Sequence, residues 1–138
     1  MSTHITIQTR VNAPIEKVWK YMTEPEHIVQ WNHASDDWHS PRAQNDLRVG
    51  GRLTARMEAK DGSSGFDFGG TYDEVEPLSL FAYTLDDGRK VRVTFESQAD
   101  GQVQVTETFE AETQNTEELQ RSGWQAILDN FKKHVESH

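Results

Sequence analysis

The chain has 138 residues and a formal charge of −9, with 14 Lys and Arg against 23 Asp and Glu; this suits one domain and disfavours nucleic acid or an anionic bilayer, which reward clustered cations. There is no cysteine, which excludes disulfides, thiolate metal sites and a cysteine nucleophile. Hydrophobic residues make up only 34% and mean hydropathy is −0.81, yet four Trp, six Phe and three Tyr recur at periodic positions, as in a folded domain with a polar surface.

His4 to Val11 alternates, with Ile5, Ile7, Thr9 and Val11 on one side, and reads as a half-buried strand. Asn12-Ala13-Pro14 then opens a short helix in which Ile15, Val18, Trp19 and Met22 share a face, since proline in a first turn loses no needed N–H bond. Thr23 and Glu26 have capping-box spacing for a second short helix that carries Ile28 and Val29. Trp31 to His39 mixes aromatic and ionisable residues without a period and reads as strand or loop, broken at Ser40-Pro41. Gly50-Gly51 marks a turn or bulge before the alternating segment Arg52 to Glu58, with Leu53, Ala55 and Met57 on one face. Four more strands are expected at Phe66 to Val75, Leu80 to Leu85, Lys90 to Glu96 and Val103 to Ala111, separated by turn residues as in an antiparallel meander.

The chain then writes one long amphipathic helix from Asn115 to Val135. Asn115 is the expected N-cap with Glu118 at the third helical position. Leu119, Gly123, Trp124, Ile127, Leu128, Phe131 and Val135 fall on one face, which needs a large apolar partner. The sheet supplies it, so an α+β domain spanning 1–138 is expected.

Asn12-Ala13-Pro14 leading into Val18-Trp19, Val49-Gly50-Gly51, Gly70-Thr71-Tyr72 before Glu76-Pro77, and Gly123-Trp124 in the last helix together resemble the AHSA1-like branch of the START/Bet v 1-like (SRPBCC) superfamily. The resemblance implies a helix-grip fold: a curved antiparallel sheet of about six or seven strands around a long C-terminal helix, two short helices after the first strand, and a cavity between helix and sheet. It also carries, through the family name, contact with an Hsp90-type chaperone as one expectation. Fold alone does not transfer chemistry.

If Val103 and Val105 face inward, alternation sends Glu107 and Phe109 the same way, and a carboxylate aimed at an apolar interior must be paired, hydrated or protonated. A place near the sheet's end, satisfied by water or an arginine, is the plainer reading. Gln120 falls within the apolar arc of the last helix, either aimed at the cavity or capping a strand. Trp31, His33, Asp36, Asp37, Trp38 and His39 resemble a cavity mouth in composition, but lack the spacing of a metal site. Phe66, Phe68 and Tyr72 share one strand parity, as core or pocket wall. Trp124 is a core anchor or cavity wall beside Gly123, whose missing side chain allows close approach of helix and sheet.

No phosphate-binding glycine motif or serine-hydrolase elbow occurs. No cofactor and no metal are expected. No stretch of about 18 apolar residues is present and Met1 to Arg10 lacks the order of a signal peptide, so a cytoplasmic protein is expected. The cavity candidates are therefore Trp31, His33, Trp38, Phe66, Tyr72, Glu107, Gln120, Trp124 and Leu128. Three functions follow as expectations: non-enzymatic binding of a small, largely apolar or aromatic molecule, a cyclase or hydrolase using Glu107, His33, Tyr72 or Gln120, and a chaperone-associated interaction protein.

Overall fold

Alternation of inward apolar and outward polar residues builds a sheet whose two edges are treated very differently. A computed structural model describes residues 3–138. In chain order the elements are β1 (His4–Val11), α1 (Ile15–Thr23), α2 (Pro25–Trp31), β2 (Trp38–Asn45), β3 (Arg52–Ala59), β4 (Gly65–Glu76), β5 (Leu80–Leu85), β6 (Lys90–Ser97), β7 (Val103–Glu110) and α3 (Glu117–Ser137). The strands form one curled antiparallel sheet in the order β1-β7-β6-β5-β4-β3-β2. Strands β2 to β7 are a plain meander, and β1 closes onto β7 with Ile7 opposite Glu107. This is the helix-grip architecture.

Helix α3 lies along the free edge of β1 and takes up its unpaired backbone groups. Arg121 Nη1 donates to Thr6 O at 2.8 Å, Gln125 Nε2 donates to Gln8 O at 3.3 Å, and the Glu136 carboxylate accepts from Asn12 N at 2.8 Å. These bonds protect an edge that would otherwise invite pairing with another chain. The C-terminal half of α3 is the anchor: Leu128, Phe131 and Val135 are fully buried with Ile5, Val11 and Val18 in the core. Across from them Trp19 of α1 packs edge-on against Phe81 and Phe95, with centroids 5.9 and 5.1 Å away.

Four local expectations are corrected. The N-cap of α3 is Thr116, not Asn115: its side chain accepts from Leu119 N at 3.1 Å. The helix thus starts one residue later, and Leu119 at its third position is 60% exposed instead of joining the buried face. Thr23 is not a cap but the last residue of α1; its hydroxyl donates back to Trp19 O, and Glu24 precedes Pro25 at the start of α2. Ser40-Pro41 does not break the chain either, since β2 runs through it with a register shift between His39 and Arg42. The edge position makes this possible, because a proline there forfeits no ladder bond that the sheet needs.

Thr116→Ala should lower stability by about 1 kcal/mol in chemical denaturation, the usual worth of an N-cap. Asn115→Ala should cost clearly less, because Asn115 holds the turn through its backbone, its carbonyl accepting from Gln120 Nε2 and its N–H donating to the Glu112 carboxylate.

Candidate functional site

Beneath the N-terminal half of α3 the packing of helix on sheet leaves a space. A cavity of about 350 Å³ lies there, walled by Leu53, Ala55 and Met57 of β3, Phe66, Phe68 and Tyr72 of β4, Phe81 and Tyr83 of β5, Val93 of β6 and Glu107 of β7. Met22, Ile28, Trp31 and Asn32 close it from the α1–α2 side, and Gln120, Trp124 and Ile127 roof it. Trp124 lies flat on Phe109, with centroids 3.9 Å apart, and meets Phe68 edge-on at 6.4 Å. Phe66, 51% exposed, and the exposed Asn115 are lining residues at which the space meets solvent.

Of the residues singled out from the sequence, Trp31, Phe66, Tyr72, Glu107, Gln120 and Trp124 line this space. His33, Trp38 and Leu128 do not. His33 follows α2, where its carbonyl accepts from Asn130 Nδ2 at 2.5 Å; its Nδ1 is buried without a partner, and burial holds its pKa below the usual value. Trp38 packs beside Phe66, with centroids 6.0 Å apart, outside the lining. Leu128 directly follows Ile127 of the roof but is fully buried in the solid core. The β3 wall, Arg89 and Glu112 were missed as lining residues. Ala55, a small residue in an inward row, was the available signal for space.

The glycine reading is also corrected. A Cβ on Gly123 would meet no atom within 4 Å, so helix and sheet are not in close approach there. The close approach is at Gly70, where a Cβ would stand 2.8 Å from Cδ2 of Tyr83 and 3.0 Å from Thr84 O. Tyr83 can lie across β4 only because Gly70 lacks a side chain.

The polar groups of the cavity differ in how they are satisfied. Gln120 is spent as a latch: Oε1 accepts from Glu112 N at 2.9 Å while Nε2 donates to Glu112 O at 3.1 Å and Asn115 O at 2.9 Å. The Tyr72 hydroxyl donates to Asn45 Oδ1 at 2.7 Å, and Asn45 donates in turn to Thr23 O. Arg89 Nε donates to Asp87 at 2.8 Å. Trp31 Nε1 donates to Tyr21 O at 2.9 Å. Glu107 alone among these is a charge without a donor. It stands mid-strand between Val105 and Phe109, not at the sheet's end, and burial pushes its pKa up from 4.5 to about 7. The hydroxyl of Tyr83 also has no hydrogen-bond partner among the described residues, and burial, with the nearby Glu107 charge adding to it, keeps it protonated. Tyr72 and Gln120 share the cavity with Glu107 but are hydrogen-bonded elsewhere, and His33 lies outside the lining.

The family model described as activator of Hsp90 ATPase homolog 1-like protein matches residues 12–136. The chain belongs to this AHSA1 family. A solution structure of an AHSA1-like protein from Aeromonas hydrophila is 47% identical, with a TM-score of 0.91 over 98% of this chain and 93% of that one. A solution structure from Cytophaga hutchinsonii is 53% identical, with a TM-score of 0.83 over 96% and 92%. At 23% identity a Chromobacterium violaceum protein shares the fold, with a TM-score of 0.85 over 97% and 98%. The comparison with curated proteins returns no match.

Elsewhere in this AHSA1 domain, Glu24, Glu26 and His27 place ligand-type atoms within 4.8 Å of one another. Glu24 hydrogen-bonds Glu26, which raises the Glu24 pKa. His27 Nδ1 is 3.1 Å from Nε2 of the buried His134, whose pKa burial holds down at about 4. No helix among the described residues is long and apolar enough to cross a membrane.

The Glu107 shift has a definite sign for stability. A carboxyl that titrates near 4.5 unfolded and about 7 folded favours the native state fully below pH 4.5, and that advantage is lost as pH rises through about 7. Glu107→Gln should therefore raise stability at about pH 8, by at most ~3 kcal/mol less what the unpaired amide costs, and change little at about pH 4. Thermal unfolding of the two proteins across pH checks this, and taking their difference cancels the opposite trend of His134.

Proposed function

We propose that this domain binds a small, largely apolar molecule in the space between the sheet and α3, without a catalytic role for the lining. The observation that carries the reading is the cavity itself: about 350 Å³, walled by aliphatic and aromatic side chains, with a few polar groups and an opening beside Phe66. Ligand sites of small-molecule binders have this size and composition. Aromatic faces at Trp124, Phe68 and Phe66 favour a ligand with a flat or aromatic portion.

The test fills the space from the protein side. Ala55 is buried in the β3 wall, paired with Ala43 and Phe68. In a packed core Ala55→Phe would cost about 1 to 3 kcal/mol. Here the ring should enter the cavity with little or no loss of stability, and should abolish the thermal shift produced by hits from a panel of lipids, sterols and aromatic metabolites. Unchanged binding of those hits by a folded Ala55→Phe protein would place the ligand elsewhere.

A further inference from the structure

We propose that the ligand of this cavity carries a protonated amine, which the Glu107 carboxylate receives from the floor of the cavity while the Tyr83 hydroxyl accepts a second hydrogen bond. The proposal rests on the small-molecule reading above and specifies the ligand's chemistry. Its basis is a count of donors and acceptors. The Tyr72 hydroxyl, the Gln120 amide, the Trp31 indole N–H and the Arg89 Nε–H are all engaged by protein acceptors. None of them serves Glu107, which has apolar neighbours in its own inward row and Ile7 and Val93 opposite.

Glu107 is half-buried and faces the cavity; a carboxylate in a largely apolar space with no protein hydrogen bond is poorly stabilised while the cavity is empty. The ligand must supply the donors, and an ammonium supplies both these and the compensating charge. Two further features favour a cation over a neutral donor. The walls present aromatic faces, above all Trp124 and Phe68, which attract a cation that is leaving water. The chain's net charge of −9 raises the local concentration of cations and repels carboxylates.

Other titratable or charged groups that line the cavity are Tyr83 on β5, Tyr72 on β4, Arg89 in the β5–β6 turn and Glu112 in the β7–α3 loop. The lining residues of α1, α2, β3, β6 and α3 contribute none. Burial holds both tyrosines protonated. Arg89 is neutralised by Asp87, and the Glu112 carboxylate is occupied by the backbone N–H groups of Gln114 and Asn115. Glu107 is thus the group whose charge changes near neutral pH.

The experiment compares phenylbutylamine, phenylbutanol and phenylbutyrate, which share one apolar body, by titration calorimetry against the full chain and against Glu107→Gln and Tyr83→Phe. At about pH 8 the amine should bind at least about tenfold more tightly than the alcohol, and the butyrate most weakly. Amine affinity should rise about tenfold from about pH 6 to about pH 8, as a carboxyl titrating near 7 ionises, while alcohol affinity stays level. Glu107→Gln should erase the amine's advantage and its pH dependence but keep alcohol binding, which also shows that the variant is folded. Tyr83→Phe should weaken the amine more than the alcohol. Alcohol binding equal to or tighter than that of the amine overturns the proposal and leaves the small-molecule reading standing. No binding of any of the three overturns both.

Discussion

Everything in this fold depends on how a single long helix is held against a concave sheet. Helix α3 is fastened at its two ends and along one flank. At its start the Gln120 amide locks the first turn to the loop after β7. Along its flank Arg121, Gln125 and Glu136 bond the free edge of β1 and the turn beyond it. At its end Phe131 and Val135 are wholly buried. Between these fastenings the helix rests on the sheet through Trp124, which stacks on Phe109 and meets Phe68 edge-on, and leaves a cavity beside that contact.

Such a cavity is expensive if it is sealed and dry. At ~24 cal/mol per Å³ a closed void of about 350 Å³ would cost ~8 kcal/mol, comparable to the whole stability of a domain this size. The cavity is neither sealed nor wholly apolar, since Phe66 in its lining is exposed and the carboxyl of Glu107 faces it. The burden of stability falls instead on the other end of the molecule, where Trp19, Phe81, Phe95 and the last turns of α3 pack solidly.

Much of this was legible in the sequence because it is periodic. Strand alternation gave the inward rows and, through Val103, Val105 and Phe109, the direction of Glu107. The helical period marked the buried face of α3, and short motifs in the right order led to the family. What was not legible depended on contacts between distant segments. Whether Thr116 or Asn115 caps α3 turns on the loop that precedes it, where the Asn115 carbonyl is already engaged by Gln120. Gln120 looked like a cavity group, and its partners at Glu112 could not be seen without the fold. His33 has the chemistry of an active-site residue, but it lies beyond the end of α2 outside the cavity lining, where its backbone carbonyl accepts from Asn130. Gly123 was expected to mark close approach of helix and sheet, but it meets nothing there, whereas the crossing of Tyr83 over β4 requires Gly70.

The account stands or falls on whether Glu107 is an unpaired carboxyl facing a largely apolar cavity in the free protein. Carbon-13 NMR titration of the Glu107 side-chain carboxyl, in ligand-free protein labelled at glutamate and assigned with Glu107→Gln, measures this directly. The structure predicts a midpoint near about 7. A midpoint at or below the ordinary glutamate value of about 4.3 would mean that the carboxylate is solvated or paired, and would contradict the account.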